Sequence, residues 1–193
     1  MLKVAIVGNI ASGKSTVENF IKDFGYEVYD ADKIAHKILE TSSEIQSVFK
    51  NDDVFEDNKI SRKKMGELVF SNKEKLHLLE SIIHPEVKKA FEKIFESNLG
   101  IVFISVPQLF ESKMDSLFDV IIFVSAPQNI RLERLIKRNN LAEEEAIKRI
   151  NSQADEEEKI NNSDFVIYNN SDLEYLKTQT DNIIKKIISN YNL

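Results

Sequence analysis

Leu2-Lys3-Val4-Ala5-Ile6-Val7-Gly8-Asn9-Ile10-Ala11-Ser12-Gly13-Lys14-Ser15-Thr16 runs from an apolar, β-branched stretch into G-x-x-x-x-G-K-S and on into an amphipathic helical pattern. A strand before and a helix after are the context that a phosphate-binding loop requires. Gly8 and Gly13 permit backbone conformations and a close approach that a β-carbon obstructs. The loop N–H groups and the amino end of the following helix then face anionic oxygens. Lys14 reaches the β- and γ-phosphates, and the Ser15 hydroxyl ligates Mg2+. Gly8, Ala11, Ser12, Gly13, Lys14, Ser15 and Thr16 are therefore the candidate cradle for a nucleoside triphosphate.

The rest of the chain reads outward from this loop. Short β-branched runs at Lys3–Val7, Glu27–Tyr29, Ile101–Val106, Val120–Val124 and Phe165–Ile167 alternate with helical patterns. That alternation is the signature of an α/β fold with a parallel sheet. The first helix, from about Lys14 to Phe24, stops at a C-cap glycine, Gly25. Residues between the second and third strand candidates carry no strand signal and read as short helices. The clearest is Glu86–Ser97, where Val87, Ala90, Phe91, Ile94 and Phe95 fall on one face and Pro85 suits the first helical position. A connection of this length needs structure of its own. It is expected to be a helical substrate-covering insertion at about 40–99, between core segments 1–39 and 100–193 of a single domain. The last helix, about Asp172–Tyr191, is expected to carry Leu173, Leu176, Ile183, Ile184, Ile187, Ile188 and Tyr191 on a core face.

Composition sets limits. The 193 residues suffice for a real core. A formal charge of −6 argues against a general nucleic-acid binder. With no cysteine there is no disulfide or thiolate-bound metal, and the cytoplasm is the default compartment. The apolar start is too short for a signal core, and no stretch reaches membrane-spanning length. The acidic runs Glu143–Glu145 and Glu156–Glu158 read as solvated helix faces.

Two classes of nucleotide protein are set aside. Asn72-Lys73-Glu74-Lys75 lacks the final aspartate of a guanine-reading N-K-x-D element, and neither Ile101–Val106, running into Val-Pro, nor Val120–Val124, running into Ser-Ala-Pro, ends in the aspartate usual for a motor-type ATPase. Carboxylates appear instead after the second strand, in Tyr29-Asp30-Ala31-Asp32. Strand C-termini line the ligand crevice of a parallel sheet. If the second strand neighbours or lies near the first, Asp30 and Asp32 approach the γ-phosphate. There one of them can orient an acceptor hydroxyl and take its proton. The competing reading makes Asp32 the N-cap of the following helix. Arg131, Arg134 and Arg138 share a helix face, with Ile130 and Leu135 turned inward. Arg131 is assigned to the solvated face beside Glu133, and Arg138 to a lid over the phosphates. Arg149, one helix on, stays open between the two roles.

Taken together these residues resemble the dephospho-coenzyme A kinase family. The resemblance runs through the phosphate loop, Asp30-Ala31-Asp32, Leu68-Val69-Phe70, His84-Pro85 and Val106-Pro107 with Leu109-Phe110-Glu111. It continues through Arg138, Arg149-Ile150 with Gln153, Ser163–Ile167 and Asn169-Asn170. It implies an adenylate-kinase-like P-loop NTPase fold: a five-stranded parallel sheet flanked by helices, a helical substrate-binding insertion and a lid at about 138–155. It implies transfer of the γ-phosphoryl of ATP, with Mg2+, to the ribose 3′-hydroxyl of dephospho-coenzyme A. It also implies a catalytic set of Asp32 as base with Lys14 and Arg138 stabilising charge. By the same resemblance Asn169-Asn170 lies near adenine, while Asp30, Asp32, His84 and Arg149 are acceptor-binding candidates.

The chain departs from the family pattern at Ala11, where glycine is common, and at Gln108, Arg131 and Ser171. Ala11 is compatible with the loop if its φ is negative. His84 has a structural explanation too, as the N-cap before Pro85. The expected partners are the two small-molecule substrates, without nucleic acid, membrane or obligatory protein partner. The alternatives are another nucleoside-monophosphate or small-molecule kinase of this architecture, or a nucleotide-dependent regulatory protein without phosphoryl transfer.

Overall fold

A computed structural model of the protein describes residues 1–153 and 155–192. Ala154, inside the segment expected as a lid, and Leu193 lie outside the described residues. In chain order the elements are β1 (Leu2–Gly8), α1 (Lys14–Asp23), β2 (Val28–Asp30), α2 (Ala31–Thr41), α3 (Ser43–Val48), β3 (Phe55–Glu56), β4 (Lys59–Ile60), α4 (Arg62–Ser71) and α5 (Lys73–Glu96). There follow β5 (Ile101–Ser105), β6 (Val120–Ser125), α6 (Gln128–Asn139), α7 (Glu143–Asn151), α8 (Glu156–Asn161), β7 (Phe165–Tyr168) and α9 (Leu173–Asn190). The chain divides into two compact units, residues 1–29 with 98–193, and residues 30–97.

The first unit is built on a five-stranded parallel sheet of order β2-β5-β1-β6-β7. β1 is central, pairing Val4 with Phe103 of β5 and with Val120 of β6. Flanked on both edges and covered on both faces, it reads as one apolar run instead of an alternating strand. Its even-numbered residues Leu2, Val4 and Ile6 join Val17 and Ile21 of α1 and Leu176, Ile184 and Ile187 of α9 in one core. Ala5 and Val7 are buried on the opposite face, as the period-2 geometry of a strand demands. A smaller apolar cluster of Leu135, Ala146 and Ile150 packs with Ile10 and Ala11 of the loop after β1. The second strand is near the first but is not its neighbour: β5 intervenes, so β2 is an edge strand about two spacings of 4.8 Å away.

The second unit holds α2 to α5 and a small antiparallel hairpin, β3 with β4. It includes α2, whose residues 31–39 sequence reasoning assigned to the core segment. The hairpin was not anticipated. Its turn residues Asp57 and Asn58 both have positive φ, 48° and 62°, the geometry of a tight two-residue turn, and both are types that tolerate it. The core of this unit gathers Leu39, Ile45, Phe49, Ile60, Met65, Leu79 and Ile82. Fully burying a side chain such as Phe49 contributes about 1.5–3 kcal/mol.

Pro85 does not start a helix. α5 runs unbroken for 24 residues through His84 and Pro85, and Asn72 caps it by accepting the Lys75 N–H at 3.0 Å. The proline removes the bond that residue 85 would donate to the Ser81 carbonyl, at a cost of about 3 kcal/mol. Buried Leu79 and Ile82 before it and Val87, Phe91 and Phe95 after it hold both halves to one axis. Tertiary packing overrides the break, and His84 is therefore a mid-helix residue and not a cap. Among the described residues, no helix is long and apolar enough to cross a membrane.

Candidate active site

The loop after β1 is as tight as its glycines require. A β-carbon at Gly8 would stand 2.7 Å from Ser12 Oγ and 3.0 Å from the Val124 carbonyl. Ser12 N–H closes the turn on the Asn9 carbonyl at 3.0 Å. Gly13, the N-cap of α1, has φ +93°, and a β-carbon there would lie 2.0 Å from Asn169 Nδ2. Ala11 departs from the sequence expectation. Its φ is +60°, in the left-handed region, where an L side chain costs about 1–2 kcal/mol. The chain keeps this loop shape although the residue resists it.

The amino end of α1 has the electrostatics of an anion site. α2, α3, α5, α8 and α9 are capped by Asp30, Ser42, Asn72, Asp155 and Asp172. α1, like α4 and α6, has no side-chain cap and no acidic residue in its first turn, and of these α1 alone follows the glycine-rich loop. Its unsatisfied N–H groups and positive dipole end favour a phosphate. Ser15 is exposed on that first turn, while Thr16 is half-buried. Ser12 Oγ is buried without a partner, an unspent donor inside the cradle.

Lys14 Nζ pairs with Glu18 Oε1 at 2.7 Å and also donates to Ser105 Oγ at the end of β5. Neither partner was anticipated from the sequence. Glu18 was legible as an i, i+4 pair. Ser105 required knowledge that β5 adjoins β1.

Asn169, just beyond β7, is 5% exposed. It donates from Nδ2 to the Ser12 carbonyl at 2.8 Å and accepts from Arg134 at 3.2 Å. Arg134 keeps a second buried nitrogen without a partner. Gly13, Thr16, Arg134, Asn169, Ser171, Asp172 and Leu173 line a recess of about 290 Å³ beside the start of α1. Asn170 is exposed and lines a different cleft, of about 620 Å³, with Asn9, Arg131, Gln153, Glu156 and Tyr168.

That larger cleft corrects two readings. Arg131 is 6% exposed and pairs with Glu156 Oε2 at 3.0 Å; it does not lie on a solvated face beside Glu133. Glu156, expected in a solvated acidic run, also accepts from Asn9 at 3.2 Å and from Ser125 Oγ at 2.5 Å. Arg131 shares the buried face of α6 with Leu135, one turn on, while Glu133 is exposed; the partner that draws Arg131 inward is on another helix and is not legible in the local pattern. Lys159 is 2% exposed and joins Asn9 Oδ1 to Glu111.

Two further candidates, Arg138 and Arg149, belong to the first unit. Arg138 is exposed at the end of α6 and bonds its neighbour Asn139 at 2.8 Å, and Arg149 pairs with Glu145 at 2.7 Å. In the second unit, Asp30 is the true cap of α2, accepting the Lys33 N–H at 3.2 Å. Asp32 stands exposed on the first helical turn, so the capping explanation does not apply to it. His84 is half-buried in α5. Among the described residues, no group of three or more His, Cys, Asp or Glu is placed to hold a metal.

Comparison with known proteins agrees with this geometry. The family model for dephospho-CoA kinase matches residues 2–174. A dephospho-CoA kinase from Listeria innocua is 41% identical over 195 residues, covering 97% of this chain and 98% of its own. The solved dephospho-CoA kinase from Campylobacter jejuni superposes with a TM-score of 0.76 at 32% identity, covering 99% of this chain and 98% of that one. A solved structure from Thermus thermophilus gives 0.84 at 32% identity, over 96% and 97%. With a full-length match in sequence and fold, and a phosphate cradle intact at its centre, the chain belongs to the dephospho-CoA kinase family.

Proposed function

We propose that the chain transfers the γ-phosphoryl group of ATP to the ribose 3′-hydroxyl of dephospho-coenzyme A, the final step of coenzyme A formation. The observation that carries this reading is the family match over residues 2–174, with the cradle built from the same segment. The donor end follows from the residues. The uncapped amino end of α1 and the loop N–H groups hold the triphosphate, and Lys14 moves between Glu18, Ser105 and the β- and γ-oxygens. Arg134, with its unpartnered nitrogen, and Asn169 flank the base-side recess.

A Mg2+ ion fits the donor set. Ser15 would hold it through its exposed hydroxyl oxygen, a hard ligand of the kind this cation prefers. When bound, it neutralises charge on the bridging phosphates. Asp32 orients the acceptor hydroxyl and takes its proton as the new P–O bond forms and the β–γ bridging bond breaks, releasing ADP. What supports this role is that Asp30 already serves as the helix cap, leaving the Asp32 carboxylate for chemistry. Arg138 and Arg149 belong to a closing lid in this scheme, and Asp30 and His84 to the acceptor side. Phosphoryl transfer of this kind relies on positioning and electrostatics more than on covalent chemistry. An absence of cysteine suits a reducing, cytoplasmic setting.

The test is product analysis. Protein, Mg-ATP and dephospho-coenzyme A should yield coenzyme A and ADP in equal amounts, with nucleosides and nucleoside monophosphates inert as acceptors. Phosphorylation of one of those instead, or nucleotide binding with no acceptor-dependent ADP release, would overturn the reading.

A further inference from the structure

We propose that Lys159 is a positioning residue of the phosphate loop, locking Asn9 at the loop's first turn to Glu111 of the segment after β5. Lys159 Nζ lies 2.6 Å from Glu111 Oε1 and 3.2 Å from Asn9 Oδ1, and only 2% of the side chain is exposed. Removing an ammonium from water costs several kcal/mol even after relaxation, and an ion pair seldom returns much more than that. Glu111 remains one-third exposed, which weakens the return further. Net stability is therefore a poor reason for this lysine to be buried. What the arrangement does fix is orientation.

An ammonium only donates and a carboxylate only accepts. Lys159 on one side thus holds the oxygen of the Asn9 amide, and Glu156 on the other holds its nitrogen, at 3.2 Å each. The amide has one orientation between opposite charges. The next residue is held as well, since Ile10 N–H donates to Gln153 Oε1 at 2.8 Å. Three side chains drawn from residues 153–159 thereby grip the first two loop residues after Gly8. The far end of the same stretch is tied independently, by Lys14 to Ser105. From Ser105 to Glu111 the chain is thus stitched to the phosphate loop at both ends, once through Lys14 and once through Lys159. A loop whose N–H groups must meet phosphate oxygens is sensitive to a displacement of about 1 Å.

This inference rests on the kinase reading, but its test needs no acceptor. Mg-ADP binding is measured by titration calorimetry, alongside thermal unfolding, for the wild type, Lys159→Met, Lys159→Arg and Ile187→Val. Ile187 is fully buried in α9, and its truncation lowers stability alone. Lys159→Met is expected to bind Mg-ADP about tenfold more weakly, the usual scale for losing a group that orients a ligand-holding residue. Lys159→Arg should restore most of that loss, and Ile187→Val should lower Tm without weakening binding. Wild-type affinity in Lys159→Met, or an affinity loss in Ile187→Val matching its loss of Tm, overturns the proposal. Should Lys159→Met not fold, Glu111→Gln decides: weaker binding supports the proposal and unchanged binding overturns it. A wild type that binds Mg-ADP yet forms no coenzyme A sinks the substrate assignment while leaving these outcomes readable.

Discussion

Asn169 donates to the Ser12 carbonyl at 2.8 Å across 157 positions of sequence, and its amide stands where any β-carbon on Gly13 would have to go. One side chain thus explains both a backbone bond in the loop and the need for glycine at its last turn. Asn169→Ala leaves the Ser12 carbonyl unpaired in a buried setting, a loss of about 1–3 kcal/mol, and Mg-ADP binding should weaken with it. Gly13→Ala forces Asn169 aside and adds left-handed strain. Because both act on the same contact, the double variant should be less destabilised than the two losses added together. A denaturant double-mutant cycle measures the difference, and strict additivity would contradict this account.

Ala11 makes the opposite prediction. At φ +60° it carries left-handed strain of about 1–2 kcal/mol, which glycine escapes at an entropic cost of about 0.5–1 kcal/mol. Ala11→Gly should therefore stabilise the protein by up to about 1 kcal/mol, raising Tm by roughly 2–4 °C for a chain of this size. Thermal unfolding decides, and a fall in Tm would mean that the methyl group's packing against Leu135 and its neighbours outweighs the strain.

How much of this was legible in the sequence follows the range of the interactions. β1, the loop and α1 were readable because strand run, glycine spacing and helix pattern are local. The five core strands were likewise found to within a residue or two, whereas the hairpin at Asp57-Asn58 is too short to register against its helical surroundings. Pro85 misled because a local helix breaker met apolar residues packed on both sides of it. Arg131, Glu156 and Lys159 were unreadable for a further reason. Their partners lie in other elements, as with Lys159 and Asn9, 150 positions apart, and composition alone marks such residues as surface. The two arginines at the loop and its flanks are Arg131 and Arg134, while Arg138, favoured from the sequence, lies exposed beside Asn139.

Asp30 and Asp32 separate cleanly by experiment. Asp30→Ala removes the N-cap of α2 and should cost about 1 kcal/mol of stability. Asp32→Asn keeps its shape on an exposed first turn, and loses at most a few tenths to about 1 kcal/mol of dipole stabilisation. Turnover should rank them the other way, with Asp32→Asn falling about 10²–10⁴-fold as expected for a lost proton acceptor, and with Mg-ATP affinity nearly kept. Initial-rate kinetics beside thermal unfolding tests this. Near-normal kcat in Asp32→Asn would remove it from the chemistry.

Lys14 is held between two unlike partners, and the pair predicts a graded series. The carboxylate of Glu18 retains Lys14 by charge, while Ser105 Oγ offers a neutral acceptor at the end of the neighbouring strand. Binding a triphosphate requires the ammonium to exchange the first attraction for a larger one, and the hydroxyl keeps it directed through that exchange. Lys14→Ala should lower kcat about 10²–10³-fold, the scale of losing one charge-stabilising donor. It also strands Glu18, whose side chain is 14% exposed, and should destabilise the unliganded protein. Ser105→Ala leaves the charge in place and removes only the direction, so its effect should be smaller, about tenfold in kcat with little change in KM for ATP. Equal losses in the two variants would mean that Ser105 acts on the acceptor instead of on Lys14, and a rise in KM alone would place its role in nucleotide binding.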